Sequence, residues 1–586
     1  MALEIVGMAP NVAQISVAII LAVLSPFLLT YAYTSRQISA KETSDGVASP
    51  TPIAPYWIPV LGNALSFSRD TVGYIQGLKA KFGMKPVKLL LAGDQMTYVP
   101  HGDKMVTTLL DAKELHSGPL AAKHRRDTFN FPEADDAIYL QDDSGLQVKP
   151  WANSTVRPDR RVIYEEHLII HTQLNGNGMS VLLEKTLEFL VRSLQSKRQE
   201  YSSWTELPDL TEFVRNEMFE ATLRALCGER IFEVTPTLLD DFWAFDLGMP
   251  DLFKGLPKWM APKAHAARTR MAAIIKNWHL DPVTAEKYDE YIAHPDRIPD
   301  WDPILGHRMM ITHYKMHVDY GFSLDGRVAG ELGLIWGAMT NLITSTIWPI
   351  LNAVLSPAVA ERVLIESSPC FTEGSLEISQ RAKLASCNLL VSMYLESLRY
   401  GIAVSIPRTP WPENGYKLGA WKLKKDEIAF TISAIAHLDE TFWNTGHLVD
   451  GKPEHPTNQY WAERFMEYPD DPLSGPIRKY DKHSEIYHTT AKPPTRTTED
   501  DEKATIITHG LSSHYFPYGG GVKICPGRYF AKQLILAAVP TFLRAFDMEY
   551  LDHESAAKTK PDYHYFMFGS LSPDRKNPIR IKAKKI

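Results

Sequence analysis

The sequence predicts a mainly α, helix-rich α+β body preceded by a single membrane-spanning helix. Three observations carry that reading: an uncharged apolar run at the N-terminus, long helical patterns through residues 160–400, and short extended runs confined to a few places. At 586 residues the chain exceeds the size at which one hydrophobic core stops growing. Its 44 % apolar and 23 % charged residues are those of an ordinary globular protein. The net charge of −6, from 63 basic and 69 acidic residues, comes with no Lys/Arg-rich run, so nucleic acid is not the expected partner. Four cysteines, Cys227, Cys370, Cys387 and Cys525, form no CxxC pair and no disulfide framework, which fits a reducing compartment.

The first element is the anchor. No charge falls between Ile5 and Ser35, and the core of that run, "ISVAIILAVLSPFLLTYAY" from Ile15 to Tyr33, is long enough to cross about 30 Å of hydrocarbon. A cleaved signal peptide is the alternative. The run lacks a basic leader, with only Glu4 ahead of it, and is long for a signal. Arg36 and Lys41 follow, so the positive-inside rule places the remainder in the cytosol, and the sequon at Asn153 is expected to be unused. Residues 1–48 are thus read as anchor and linker, and 49–586 as one catalytic body.

The body opens with "SPTPIAPYWIPVLGNALSF", whose prolines at 50, 52, 55 and 59 predict a rigid spacer turning at Gly62. "PVKLLLAGDQMTYV" predicts two strands about a Gly-Asp turn. Helical patterns then dominate, among them "GELGLIWGAMTNLITSTIWPILNAVL" and "LASCNLLVSMYLESLRY". Extended stretches return near 403–434, residues 466–512 read as a polar surface loop, and "RYFAKQLILAAVPTFLRAF" is helical again.

One stretch carries chemistry. In "FPYGGGVKICPGRYFAKQ", Phe516 to Gln533, three glycines precede Cys525 and a helix pattern follows it. A helix starting after "CPG" aims unpaired N–H groups back at the cysteine, which favours thiolate. The glycines let backbone approach something flat and large. A disulfide, a metal-bound thiolate and a merely buried cysteine remain open at this point.

The order aromatic–x–x–Gly–x–basic–x–Cys–x–Gly, here Tyr518, Gly521, Lys523, Cys525 and Gly527, resembles the haem-binding loop of the cytochrome P-450 superfamily. The family usually has Phe and Arg where this chain has Tyr518 and Lys523. Two further motifs agree. "YLESLRY" places Glu396 and Arg399 three apart on one helix face, and "WAERF" supplies Arg464. The "EFVR" copy at Glu212 and Arg215 has the same spacing and is expected to be a solvated pair. The resemblance implies a cytochrome P-450 fold with small β-sheets. It also implies haem b held by Cys525 as axial ligand, with Lys523 and Arg408 on propionates and Tyr518, Gly521 and Gly527 shaping the loop. Glu396, Arg399 and Arg464 become a buried supporting triad.

Where the family has a small-Gly-x-acid-Thr run beside the oxygen site, this chain reads Gly337-Ala338-Met339-Thr340-Asn341. Asparagine there resembles the branch holding the sterol 7α- and 12α-hydroxylases and prostacyclin synthase. The run Pro250 to Met271 resembles the sterol hydroxylases of that branch. Thr340 and Asn341 are therefore the expected catalytic pair, holding water for proton delivery. No clear Trp-x-x-x-Arg occurs near 165–185, and His167 and His171 are the candidate replacements as propionate contacts.

The resemblance thus implies a monooxygenase on the endoplasmic reticulum membrane, fed by NADPH–cytochrome P-450 reductase and taking a lipophilic, terpenoid- or steroid-like substrate. It is similar to fungal tailoring enzymes of secondary metabolism. Two alternatives stay beside it: a haem isomerase acting on a peroxide without NADPH, and a non-catalytic haem-binding sensor.

Overall fold

The computed structural model describes residues 12–36, 51–479 and 494–586. The helices that bear on the site are α1 (Val12–Arg36), α2 (Glu133–Leu140), α3 (Val162–Gln173), α4 (Gly176–Glu200), α5 (Leu210–Cys227), α6 (Leu238–Phe253), α7 (Arg308–Asp319), α8 (Leu324–Leu355), α9 (Asn388–Gly401) and α10 (Arg528–Ala545). The strands are β1 (Val87–Leu91), β2 (Asp94–Tyr98), β3 (Ile402–Pro410), β4 (Ile428–Ile432) and β5 (Phe568–Ser570). The sequence reading treats 49–586 as one body. By its contacts the chain clusters into two compact units, residues 1–117 with 406–431, and residues 118–405 with 432–586.

In the first unit, β1 and β2 form the expected hairpin, with Leu91 opposite Asp94. Ala92 and Gly93 both take positive φ, the two-residue turn whose twist matches the strands. Parallel β4 then pairs with β2 through Phe430 and Tyr98. The proline-rich stretch is not a free spacer. Ala54 donates to the Lys88 carbonyl at 2.9 Å, and Asn63 bonds both Pro55 and Leu90, so the stretch lies along β1 as added edge. Gly62 is required there: a Cβ would fall 2.3 Å from the Leu90 oxygen, at φ +59. Tyr31 at the end of α1 stacks on Trp57 with centroids 4.1 Å apart.

The second unit holds the main core, built on α5, α8, α9 and α10. Two helices among the described residues are long and apolar enough to cross a membrane. One is α8, which is mostly buried and therefore a core helix, capped by the Ser323 hydroxyl. The other is the exposed N-terminal Ile19–Arg36, the predicted anchor segment; Lys41 lies outside the described residues. The predicted polar loop is only partly a loop. Met466–Glu467 pairs with Thr505–Ile506, and Thr498–Lys503 is a helix opened by a Thr497–Asp500 capping box. Asp501 on it is buried and takes the Arg362 guanidinium at 2.8 Å. Residues 480–493 of that stretch lie outside the described residues.

Candidate active site

The Cys525 loop is shaped by its glycines as expected, but at different positions for different reasons. Gly519 and Gly521 sit at φ +73 and +64, where a side chain is strained. Gly527 has an ordinary φ of −79, and a Cβ there would make only van der Waals contact with Leu174 and the Cys525 sulfur. The Cys525 N–H closes the loop onto the Tyr518 carbonyl at 3.0 Å, and the Arg528 guanidinium binds the Cys525 carbonyl at 2.9 Å as α10 begins.

The helix end does not by itself make a thiolate. Burial pushes the Cys525 thiol above its ordinary value, against the Gly527 N–H and the Arg528 charge that pull it down. The helix start pulls toward the thiolate as expected, and desolvation opposes it.

Behind the loop stands α9. Its Tyr394 hydroxyl meets the Tyr518 hydroxyl at 3.0 Å, and Tyr515 donates to the Leu395 carbonyl. Two residues beyond Tyr394, Glu396 takes Arg399 through both oxygens at 2.7 Å, Arg464 at 3.1 and 3.2 Å, and the Trp461 N–H at 3.0 Å. Arg399 spends its remaining donors on the carbonyls of His437, Thr457 and Gln459; Arg464 spends its own on Asn444, His455, Pro456 and Gln459. All three side chains are fully buried. Burial favours a neutral Glu396, but the two guanidinium charges outweigh it and hold the carboxyl below its ordinary range. The other ExxR copy differs from its expectation. Arg215 is partly buried over the Trp243 ring, 4.6 Å from its centroid, and is no solvated partner of Glu212.

Along α8, Gly337 is exposed in the middle of a helix that is otherwise mostly buried, and a Cβ there would meet nothing within 4 Å. That open cradle, the partly exposed Cys525 and the left-handed glycine turns fit a large flat cofactor. The expected catalytic pair has partners the sequence does not announce. Thr340 turns its hydroxyl back onto the Trp336 carbonyl at 3.2 Å. Asn341 accepts from the Ser570 N–H at 2.8 Å, and a Cβ at Gly569 would lie 2.5 Å from the same oxygen. The Asn341 oxygen is therefore committed to β5, and its NH2 is the group left to act.

Lys523 lies near enough to α3 that its charge, after burial and His171, depresses the His167 imidazole. His167 and His171 line an open cleft of about 690 Å³ with Tyr164 and Asn175. Arg408 is buried on β3 in the first unit. Burial draws its pKa to about 10, with the Asp111 charge opposing.

Sequence reasoning misses Asp246 on α6. It accepts from the Trp336 indole N–H at 2.9 Å, one residue before Gly337, and burial lifts its pKa to about 6, against that bond and the Arg215 charge. Phe253 and Phe129 flank the same indole at 5.6 and 6.3 Å. No spacing links residues 246 and 336, so no motif could have flagged the pair. Because the folded pKa lies above the unfolded one, the native state binds the extra proton, and stability falls as pH rises from about 4 through 6. Asp246→Asn cannot ionise. It should be stabilised by about 2 kcal/mol relative to the wild type near neutral pH, a gain that narrows toward pH ~4. Thermal unfolding across that range reads it; a pH-independent difference contradicts the assignment.

Fold and loop together define a helix-rich haem enzyme. The cytochrome P450 family profile matches residues 498–575. "Cytochrome P450 monooxygenase fsoE" of Humicola fuscoatra is 31 % identical over 569 residues, 94 % of this chain and 91 % of its own. "Cytochrome P450 monooxygenase efuG" of Hormonema carpetanum is 29 % identical, over 95 % and 94 %. "Cholesterol 7-alpha-monooxygenase" of Cricetulus griseus is 24 % identical, over 70 % and 73 %. The chain belongs to the cytochrome P450 family and is a haem-dependent monooxygenase, as the resemblance implies, including the branch of the sterol 7α-hydroxylases.

Proposed function

We propose that this protein hydroxylates a lipophilic, terpenoid- or steroid-like small molecule with electrons from NADPH. They would come through a membrane-bound cytochrome P-450 reductase, in fungal secondary metabolism. Residues 49–586 act as one catalytic body on the cytosolic face of the endoplasmic reticulum, held by α1. The observation that carries this is the exposed Gly337 in the otherwise buried α8, where a Cβ would meet nothing within 4 Å, one residue after a Trp336 ring packed with Phe129 and Phe253. The relative named for cholesterol supports the substrate class.

Haem, when bound, supplies dioxygen activation and C–H oxidation. Cys525 would provide its sulfur ligand and Lys523 a cation for its carboxylates, with Arg408 the further cation that the family resemblance implies. Tyr518 and Gly521 would shape the loop, with Gly527 at the start of α10, and Glu396 and Arg399 on α9 would brace it together with Arg464. Asn341, its oxygen held by Ser570, presents its NH2 to order water; Thr340 supports the helix at that point. An amide does not ionise, so protons reach the site through that water.

The test is stoichiometric. With reductase and a panel of triterpenoids and sterols, the wild type should consume NADPH in proportion to product. Asn341→Ala should keep the haem spectrum and slow product formation by about 10²-fold, diverting electrons to hydrogen peroxide. Product from a peroxide substrate with no NADPH use would replace this reading with the isomerase.

A further inference from the structure

Away from the haem loop, three helices bring metal-ligating side chains to one buried point. His313 and His317 stand four apart on α7 and so project from one face. Glu166 reaches them from α3 and Tyr139 from α2. The Glu166 oxygen lies 3.2 Å from His313 Nε2, and the Tyr139 hydroxyl lies 3.1 Å from His317 Nε2. One donor atom from each of Glu166, His313 and His317 falls within 4.8 Å of both others.

Hydrogen bonding inside the cluster satisfies Nε2 of each ring and leaves the other ring nitrogen unmet. Both imidazoles are fully buried, and Nδ1 of each has no hydrogen-bond partner. A buried polar atom without a partner costs about 1–3 kcal/mol, and two lie side by side here, on rings whose centroids are 4.4 Å apart. There is no slack to relieve them by rotation. α8 presses on the His317 ring at Gly330, where a Cβ would lie 2.4 Å from Cε1. Arg125, over the Tyr139 ring, is already paired with Asp136 at 2.8 Å.

We propose that Glu166, His313, His317 and Tyr139 form a structural zinc site. Two imidazoles and a carboxylate are a donor set that Zn²⁺ takes, with a fourth ligand completing the tetrahedron. At zinc bond lengths tetrahedral donors stand about 3.3 Å apart. The Glu166–His313 and Tyr139–His317 separations already have that length. Binding then requires only that the two pairs close on each other. The metal displaces the proton between Glu166 and His313 Nε2, which leaves to bulk water past the partly exposed Glu166 side chain, and the Tyr139 phenol coordinates through its oxygen with its own proton kept. The Glu166 side chain keeps 30 % of its surface exposed, which leaves an entry path for the ion. Occupancy would staple α2, α3 and α7 together. Because α3 also carries His167, beside Lys523 of the haem loop, the staple would steady that side of the loop.

The experiment uses the full-length, haem-loaded protein, with metal content read by mass spectrometry against haem iron. After incubation with ZnCl₂ and desalting, the wild type should retain about one zinc per chain. Glu166→Gln, which keeps the side chain's shape, and His317→Asn should retain none, with the reduced carbonyl spectrum reporting that each is folded. X-ray absorption at the zinc edge should show only nitrogen and oxygen donors with two imidazoles, a readout that stands even if neither variant folds. A wild type holding no zinc overturns the proposal, as do variants holding as much as the wild type, or sulfur in the zinc shell.

Discussion

Cys525→Ser should abolish the red-shifted Soret band of the reduced carbonyl complex, while Ala at Cys227, Cys370 or Cys387 should leave it intact. Cys525 alone sits in the glycine turn at the start of α10, and it alone of the four is not fully buried. Burial holds Cys227 well above its ordinary value and raises Cys370 and Cys387 too, and none of the three lies in a glycine turn at a helix start. Burial raises Cys525 as well, and this sharpens the expectation. A metal bound at Cys525 would compensate a thiolate there, and serine, a far weaker acid, would not substitute. Any haem retained by the serine variant should show the spectrum of a neutral ligand. A persisting red-shifted band would move the ligand to another residue.

Glu396→Ala should leave little haem-loaded protein. Removing the carboxylate strands two guanidinium groups in a fully buried site, and breaking such a network costs about 3–5 kcal/mol, much of a typical stability margin. Burial already draws the Arg464 pKa down to about 10, with the Glu396 charge as the main opposing influence. The remaining donors of both arginines are held by backbone carbonyls, so neither can turn toward solvent without breaking those bonds. The pH dependence has a fixed sign. A carboxyl whose folded pKa is depressed contributes above the unfolded value, near 4.3, and loses that contribution as pH falls through the folded one. The gap between wild type and Glu396→Ala should therefore shrink in acid. Haem per chain and the thermal midpoint are the measurements. A haem-replete variant with an unchanged midpoint would show that the triad does not brace the loop.

Much of this was legible because it is local. The period of α8, the hairpin, which closes at Ala92–Gly93 one residue before the predicted Gly-Asp turn, and the Glu396–Arg399 spacing depend on residues within a turn or two of one another. Near-neighbour geometry alone decides them. The glycine–cysteine loop is likewise a contiguous string, and so it was recognisable with its basic Lys523 and aromatic Tyr518.

What the tertiary structure decided is which distant groups meet and how much water they lose. Asn341 bonds Ser570, 229 residues away, and this turns an expected water ligand into a half-committed amide. Trp336 reaches Asp246 across 90 residues and shares in setting its titration. The two ExxR copies are indistinguishable as strings. One is sealed in the core with Arg464, and the other places Arg215 on Trp243. Cys525 shows the same limit: the helix start that should favour its thiolate is written in the sequence, but the burial that opposes it is not. Hydrogen-bond periodicity and turn chemistry act over a few residues of chain, so a sequence carries them openly. Desolvation and long-range pairing depend on the whole packed interior, and they exist only once that interior has formed.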